Sequence, residues 1–444
     1  MKMCNKQHPP LLVSLAGFAL FCLSLSFSAN ASGPNFLIIY AEGTGWTSTS
    51  VQMEEGNPRS KSESIQTPNL ERLATMGITF SRGYAPSPRC TPSRAGLLTG
   101  ISPAALNMTY INNSGLDQRR DISDLALLPP QPITSLPASS LTYAELLQSQ
   151  GYATAHFGKW HLGREDPSEH GFNIHDGANN NQGAAGDRND NIVEYQFTTE
   201  KGIGFIREQV SEGVPFLLSI DHYPITVGRS SEISLEQERR TMDESVGMLI
   251  DELATLEVLN NTYIVFSADH GASGRNGNAP LSKGKGSLKE GGIRVPFIIA
   301  GPNTQSGRWS GVAVTALDIF PTIADILGAE ERVSNRVEGG SLLPLLKGDS
   351  NLVTRPREEL VFHFPHYDLM NDGPATAIMV GKYKLIKNYE QPQSLLFDLN
   401  QDPGESNNLA SQMSELTADL EQRMQEYLRQ IDAQMPTANR QYRK

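Results

Sequence analysis

The sequence predicts an α/β fold: a large mixed, mostly parallel sheet flanked by helices, then a small antiparallel sheet carrying one helix. Three observations carry this expectation. Short apolar runs without polar alternation, such as residues 35–40 and 263–267, read as strands buried on both faces. Capped segments of helical period lie between such runs, the pattern of parallel strands joined through helices. Beyond about residue 357, short strands follow one another at turn spacing until one last helix.

Residues 35–40 form the first strand, after Pro34 and before Gly43 and Gly45. Thr67-Pro68 opens a helix, because Pro is tolerated in the first turn, and Gly77 closes it. A second helix covers about 142–150 and stops at Gly151. Strands follow at 153–157 and 215–220, the latter ending in Asp221-His222. Ser234 and Gln237 give a capping-box signal. Behind it Met242, Val246, Leu249, Ile250 and Leu253 recur on one helical face. The strand at 263–267 leads into Asp269-His270, 296–300 is another strand, and a helix over 318–327 ends at Gly328. Strands at 361–364, 377–380, 383–387 and 395–399 precede an amphipathic helix bearing Leu416, Leu420, Met424, Leu428 and Ile431. Residues 179–191, rich in Asn, Gly and Asp, have a surface-loop composition.

The first 31 residues read as a signal peptide. Lys2 and Lys6 precede an apolar run over 11–27, and Ala29-Asn30-Ala31 fits a small-residue cleavage site. The mature chain is therefore expected from Ser32, exported to the periplasm or secreted. Serines interrupt the run and no later segment is long and apolar enough to cross a bilayer, so no membrane span is expected. Cys4 and Cys22 leave with the leader, and Cys90 remains without a disulfide partner. A net charge of −12 argues against non-specific nucleic-acid binding. The remaining chain divides into a catalytic part, 32–350, and a C-terminal subdomain, 351–444.

Ligands of open α/β sheets gather at the carboxyl ends of the strands. Glu42, Lys159, His161, His222, Asp269 and His270 all stand just after apolar runs. Cys90 falls at an expected helix N-terminus, with Arg94 one turn later. Free backbone N–H groups and the helix dipole there lower a thiol pKa and suit an anionic substrate. Alone, Asp269-His270-Gly271 reads more often as a turn after a strand than as a metal site, and Lys159 and Lys285 read as solvated lysines. Cys90 and Arg94 give the first weight, and Gly-rich contexts give it to the two lysines. Lys283 and Lys289 read as solvated and His156 as structural. His363 and His366 read either as a strand-edge pair or as part of a pocket mouth.

The segment Pro88-Arg89-Cys90-Thr91-Pro92-Ser93-Arg94, continued by Leu97-Leu98-Thr99-Gly100, resembles the signature of the formylglycine-dependent (type I) sulfatase family, in the alkaline phosphatase-like superfamily. Further segments resemble the same family in order: Thr67-Pro68-Asn69-Leu70, Gly158-Lys159-Trp160-His161-Leu162-Gly163, Asp269-His270-Gly271, Gly284-Lys285-Gly286 and Glu290-Gly291-Gly292. Gly381-Lys382-Tyr383-Lys384, Leu396-Phe397-Asp398-Leu399 and Asp402-Pro403 with Glu405 resemble its C-terminal domain.

The resemblance implies an alkaline-phosphatase-like fold and hydrolysis of sulfate esters. It implies that a maturing enzyme, the formylglycine-generating machinery, oxidises Cys90 to formylglycine. One hydroxyl of the hydrated aldehyde then attacks sulfur, and the other later expels sulfate. Arg94 and Lys159 would hold the formylglycine oxygens and His161 would accept a proton. Lys159, Lys285 and His222 would grip the sulfate, the latter two assisting the leaving group. Ca²⁺ would be held by Glu42, Asp269, His270 and the modified Cys90. By analogy the substrate is a sulfated carbohydrate, polysaccharide or oligosaccharide.

This chain departs from the family pattern in two places. Glu42-Gly43 stands where the family has two adjacent aspartates, which with His270 leaves fewer hard-oxygen donors and admits weaker Ca²⁺ or another divalent metal. His222 stands alone where relatives carry two histidines. The alternatives are a formylglycine-dependent phosphonate or phosphodiester hydrolase and a non-catalytic binder of sulfated glycans.

Overall fold

In the computed structural model, the chain beyond its leader is described over residues 33–116, 121–181, 191–224, 233–273, 277–368 and 371–442. The body of the expected signal peptide, with Cys4 and Cys22, lies outside the described residues, as does 182–190 of the expected 179–191 loop. Among the described residues no helix is long and apolar enough to cross a membrane.

The first half runs β1 (Asn35–Ala41), α1 (Pro68–Met76), β2 (Gly77–Tyr84), α2 (Cys90–Thr99), β3 (Leu127–Leu128), α3 (Tyr143–Ser149), β4 (Ala153–Gly158), β5 (Ile174–His175), α4 (Asn191–Glu212) and β6 (Phe216–Asp221). Next come α5 (Leu235–Thr255), β7 (Thr262–Ala268), α6 (Glu290–Ile293), β8 (Ile298–Ala300), β9 (Arg308–Thr315), α7 (Ile319–Ile326) and α8 (Leu343–Lys347). The remainder is β10 (Leu360–Phe364), β11 (Ala375–Val380), β12 (Tyr383–Asn388), β13 (Leu395–Asp398), α9 (Ser414–Gln430) and β14 (Thr437–Ala438).

Eight strands form one sheet in the order β5-β4-β6-β1-β7-β8-β2-β9. All neighbours are parallel except β8, which runs antiparallel to β7 and β2. Alternate residues of β1 go to opposite layers, because successive side chains of a strand point to opposite faces. Phe36, Ile38 and Tyr40 join a core with residues of α2, α3 and α7. Leu37, Ile39 and Ala41 join one with α1, α4 and α5. The parallel register sets Tyr40 level with Asp221 and Ser267, so Glu42, His222 and Asp269 emerge together at one end of the sheet.

The four strands β10 to β13 form the expected antiparallel sheet. One face carries Phe362, Phe364, Ala377 and Phe397 against Tyr84, Tyr110, Leu288 and Ile293. The other packs Ile378, Leu385 and Leu396 on Leu420, Met424 and Leu428 of α9. The chain then returns, and β14 pairs with β3.

Three of the longer elements escape the sequence reading, along with the short β3, β5, β14, α6 and α8. Gly77 ends α1, as expected, and also begins β2. The edge strand β9 carries Gly311 and mixed polarity. Helix α4 contains Gly202 and Gly204, which weaken its sequence signal. Gly202 has a packing reason: a Cβ there would come within 3.0 Å of Ile220 and 3.2 Å of Leu218.

Candidate functional site

Helix α2 begins at Cys90, with Arg89 at its cap in extended conformation, so the thiol sits where the helix leaves its N–H groups unpaired. It is buried, 3.6 Å from Glu42 Oε1 and 3.3 Å from His270 Nε2. Glu42 follows β1, and Asp269 and His270 follow β7. One ligand atom from each of Glu42, Cys90, Asp269 and His270 lies within 4.8 Å of all the others, and all four residues are buried.

Cations surround this cluster. Lys159, following β4, places Nζ 2.6 Å from Glu42 Oε2. Lys285 reaches Glu42 Oε1 at 3.1 Å and Cys90 Sγ at 3.6 Å. Arg94, one turn into α2, donates to the Lys159 carbonyl at 2.8 Å and to Asp269 at 3.3 Å. His161 is close enough to Cys90 to feel its charge, keeps a buried Nδ1 without a hydrogen-bond partner among the described residues, and has a backbone with φ 56°, a conformation that few non-glycine residues adopt. Its carbonyl accepts from Thr91 Oγ1 at 2.8 Å and its amide donates to Asn179 at 2.8 Å, which holds that turn.

The charges respond to one another. Burial and Glu42 push the Cys90 thiol up, but Lys159, Lys285 and His270 outweigh them and hold it well below the ordinary thiol range. Burial likewise opposes ionisation of Glu42, and Lys159, Lys285 and His270 overcome it. Burial and then Glu42 raise Asp269 to about 7. Burial pulls His270 down, yet Asp269 raises it to about 9.

The structure thus brings together eight of the expected site residues: Glu42, Cys90, Arg94, Lys159, His161, Asp269, His270 and Lys285. His222 stands at the expected strand end but turns toward α4 and α5. Its Nε2 lies 3.1 Å from Ser245 Oγ, and its ring sits 4.6 Å from that of Tyr195. Burial, then Arg239 and Arg94, lower it to about 3, so it is neutral.

Four residues of the site were not singled out from the sequence. Asp221, the last residue of β6, binds Arg94 Nη1 at 2.5 Å and accepts from Ser219 Oγ at 2.6 Å. Its strand-end position is the signal that could have found it. Arg239 on α5 donates to the Gly43 carbonyl at 2.8 Å. Arg89 donates through Nε to Asp368 Oδ2 at 2.6 Å, tying the start of the Cys90 helix to the chain after β10. Arg89 adjoins the motif, whereas no local pattern marks Arg239 or Asp368.

His363 and His366 are buried and satisfied as neutral rings. His363 meets Thr376 Oγ1 and the Gln434 carbonyl, and His366 meets Thr109 Oγ1 and the Gly115 carbonyl. Lys283 is exposed, as expected. Lys289 is not simply solvated: its Nζ lies 3.9 Å over the Phe397 ring and donates to the Glu405 carbonyl at 3.3 Å.

The sulfatase family model matches residues 34–220 and 238–329, more than half of the chain. The chain belongs to the sulfatase family. A second model, N-sulphoglucosamine sulphohydrolase C-terminal, matches residues 284–432. N-acetylgalactosamine-6-sulfatase of Sus scrofa is 29% identical over 434 residues, covering 86% of this chain and 75% of that one. Arylsulfatase A of Bos taurus is 28% identical, covering 90% and 88%. Among solved structures, Ps i-CgsB in complex with k-i-k-neocarrahexaose superposes with a TM-score of 0.72 at 22% identity, covering 89% of this chain and 92% of that one. This sulfatase therefore has the alkaline-phosphatase-like fold, and its reaction is the hydrolysis of sulfate esters.

Proposed function

We propose that this sulfatase removes sulfate from a sulfated polysaccharide or oligosaccharide, using a formylglycine made from Cys90 and a divalent cation. The observation that carries the reading is Cys90 itself. It is buried at a helix N-terminus, between a carboxylate–imidazole cluster and the cations Lys159, Lys285 and Arg94. The N-acetylgalactosamine-6-sulfatase relative and the neighbour bound to neocarrahexaose support a carbohydrate substrate. A leader over 1–31, a catalytic part over 32–350 and a C-terminal subdomain over 351–444 complete the proposal. Export to the periplasm or beyond, and maturation by a formylglycine-generating enzyme, follow from it.

The donor set fits a divalent cation. Two carboxylates and an imidazole converge on position 90 in a buried pocket, and Asp269 has its ionisation opposed by burial and by Glu42. Glu42, Asp269, His270 and the oxygen that replaces Sγ would hold the ion. Bound there, it would polarise sulfate oxygens and lower the pKa of the attacking hydroxyl supplied by the hydrated formylglycine.

The chain's own residues do the rest. Lys159 and Arg94 hold the oxygens at position 90, and Asp221 fixes the guanidinium of Arg94 for that task. His161, whose burial and cationic neighbour Lys159 keep it below the ordinary imidazole range, is neutral and can accept a proton from position 90. Lys285 lies partly open to solvent beside Sγ, where it can neutralise a sulfate oxygen and donate a proton to the leaving alkoxide. Ser245 engages His222 Nε2, and the buried Nδ1, which has no hydrogen-bond partner among the described residues, is the atom left for the sulfate.

The test is a panel of sulfated mono- and oligosaccharides, an aryl sulfate and a phosphodiester, offered to protein produced with the maturing enzyme. Release of inorganic sulfate from a sulfated sugar, faster than phosphodiester cleavage, is expected. Preference for the phosphodiester would transfer the assignment to the phosphodiester alternative.

A further inference from the structure

The resemblance implies Ca²⁺ at this site, but the donors point elsewhere. We infer that the site takes a borderline first-row divalent ion, of the Mn²⁺ to Zn²⁺ class, and that His270 selects it. The inference rests on the proposal that a divalent cation is bound between Glu42, position 90, Asp269 and His270.

The tautomer of His270 is fixed from behind. Its Nδ1 lies 2.9 Å from the Gly271 carbonyl oxygen, which can only accept, so Nδ1 carries a proton. With Nδ1 committed to that carbonyl, Nε2 is the atom left for a metal, which would replace the proton that Asp269 favours there, and a backbone carbonyl is a usual partner for the other ring nitrogen of a ligating histidine. Nε2 also sits among the other donors. It is 3.3 Å from Cys90 Sγ, 3.4 Å from Glu42 Oε1 and 3.3 Å from Asp269 Oδ1. The side chain is fully buried, so no solvent-facing role competes.

The space for another oxygen is taken. Gly43 has φ 53°, and a Cβ there would lie 3.2 Å from His270 Cε1. The ring thus lies against the place where a side chain at 43 would start. Other groups occupy some of the carboxylate oxygens. The Gly43 amide donates to Asp269 Oδ1 at 2.9 Å, and Lys159 holds Glu42 Oε2 at 2.6 Å. Both contacts oppose the bidentate binding by which Ca²⁺ gathers six to eight oxygens. A compact set of two carboxylates, one imidazole and one oxygen at position 90 suits the first-row ions, for which imidazole is a good ligand.

The experiment uses full-length protein with Cys90 converted, stripped of metal by chelation. Titration calorimetry with Mn²⁺ and with Ca²⁺ gives two dissociation constants, and elemental analysis gives the metal retained on purification. Mn²⁺ is expected to bind at least tenfold more tightly than Ca²⁺ and to stay bound in millimolar Ca²⁺. His270→Asn should narrow that ratio to about threefold or less. Tighter Ca²⁺ than Mn²⁺ in the unaltered protein overturns the inference, and so does an unchanged ratio in a folded His270→Asn protein. The measurements on the unaltered protein decide the matter if the variant does not fold. Tight Ca²⁺ with sulfatase turnover removes this inference alone. Absence of any divalent binding removes the proposed metal as well.

Discussion

Lys384→Met tests how the C-terminal sheet holds the loop that carries Lys285. Lys384 lies fully buried on β12, 2.9 Å from Glu290 Oε1 and 3.0 Å from Glu405 Oε1, and both acids are fully buried too. Glu290 starts α6, just after the Lys285 loop. Removing one partner of a buried ion pair costs about 3–5 kcal/mol, because the other charge stays behind. Here the acids keep some support. Glu290 retains Tyr84 Oη at 3.0 Å and Arg294 at 3.5 Å, and Glu405 retains Ser282 Oγ at 2.9 Å and the Glu290 amide at 2.7 Å. The expected loss is therefore near the lower end, about 3 kcal/mol. Unfolding entropy for a body of about 400 residues is roughly 0.9 kcal/mol/K, so Tm should fall by about 3–4 °C in scanning calorimetry. Lys384→Met with Glu405→Gln should recover at least about 1 kcal/mol, since Glu405 is then neutral. A single variant within 1 °C of the unaltered protein, or a double variant no better than the single, would refute this account of the network (an approximate threshold set by the same entropy).

Asp221→Ala should lower kcat/KM about 10–100-fold with the melting curve still cooperative, because a misplaced Arg94 no longer orients position 90; unchanged kinetics would contradict that role. Gly43→Ala should cost about 1–2 kcal/mol, since an L-residue is strained at φ 53°. It should also weaken metal binding at least tenfold, by pressing on His270, both readable by calorimetry. Burial holds His363 at about 4 and His366 at about 3, below the ordinary 6.5. Below pH 6.5 the unfolded chain takes up more protons than the folded one, so stability should be complete above 6.5 and fall as pH drops toward 4. The loss is a few kcal/mol for each ring, at about 1.4 kcal/mol per pKa unit. His363→Gln should flatten that acid limb in denaturant melts, and an unaltered limb would count against the assignment.

The strands β1, β6 and β7 could be read from the sequence because parallel strands buried on both faces leave continuous apolar runs. β2 and β9 could not: Ser81, Arg82 and Gly83 interrupt one, and the other is a half-exposed edge. Within the site, Cys90 and Arg94 declare themselves through one local motif, and Glu42, Lys159 and Asp269 through their places at strand ends. Asp221, Arg239 and Asp368 come from three distant segments, and only the folded register shows what they hold. Lys384 and Glu405 were visible as family-like residues, but their joint grip on Glu290 exists only in three dimensions. His222 stands at the expected strand end, but its Nε2 contact with Ser245 of α5 shows only in the folded chain.

If Cys90 becomes the nucleophile, the mass of the peptide that contains it must change. The protein should be co-produced with a formylglycine-generating enzyme and digested. Conversion of thiol to aldehyde lowers that peptide by about 18 Da. This shift is expected, together with sulfate release by the same preparation. A Cys90 that stays a thiol while the same machinery converts a control peptide would contradict it.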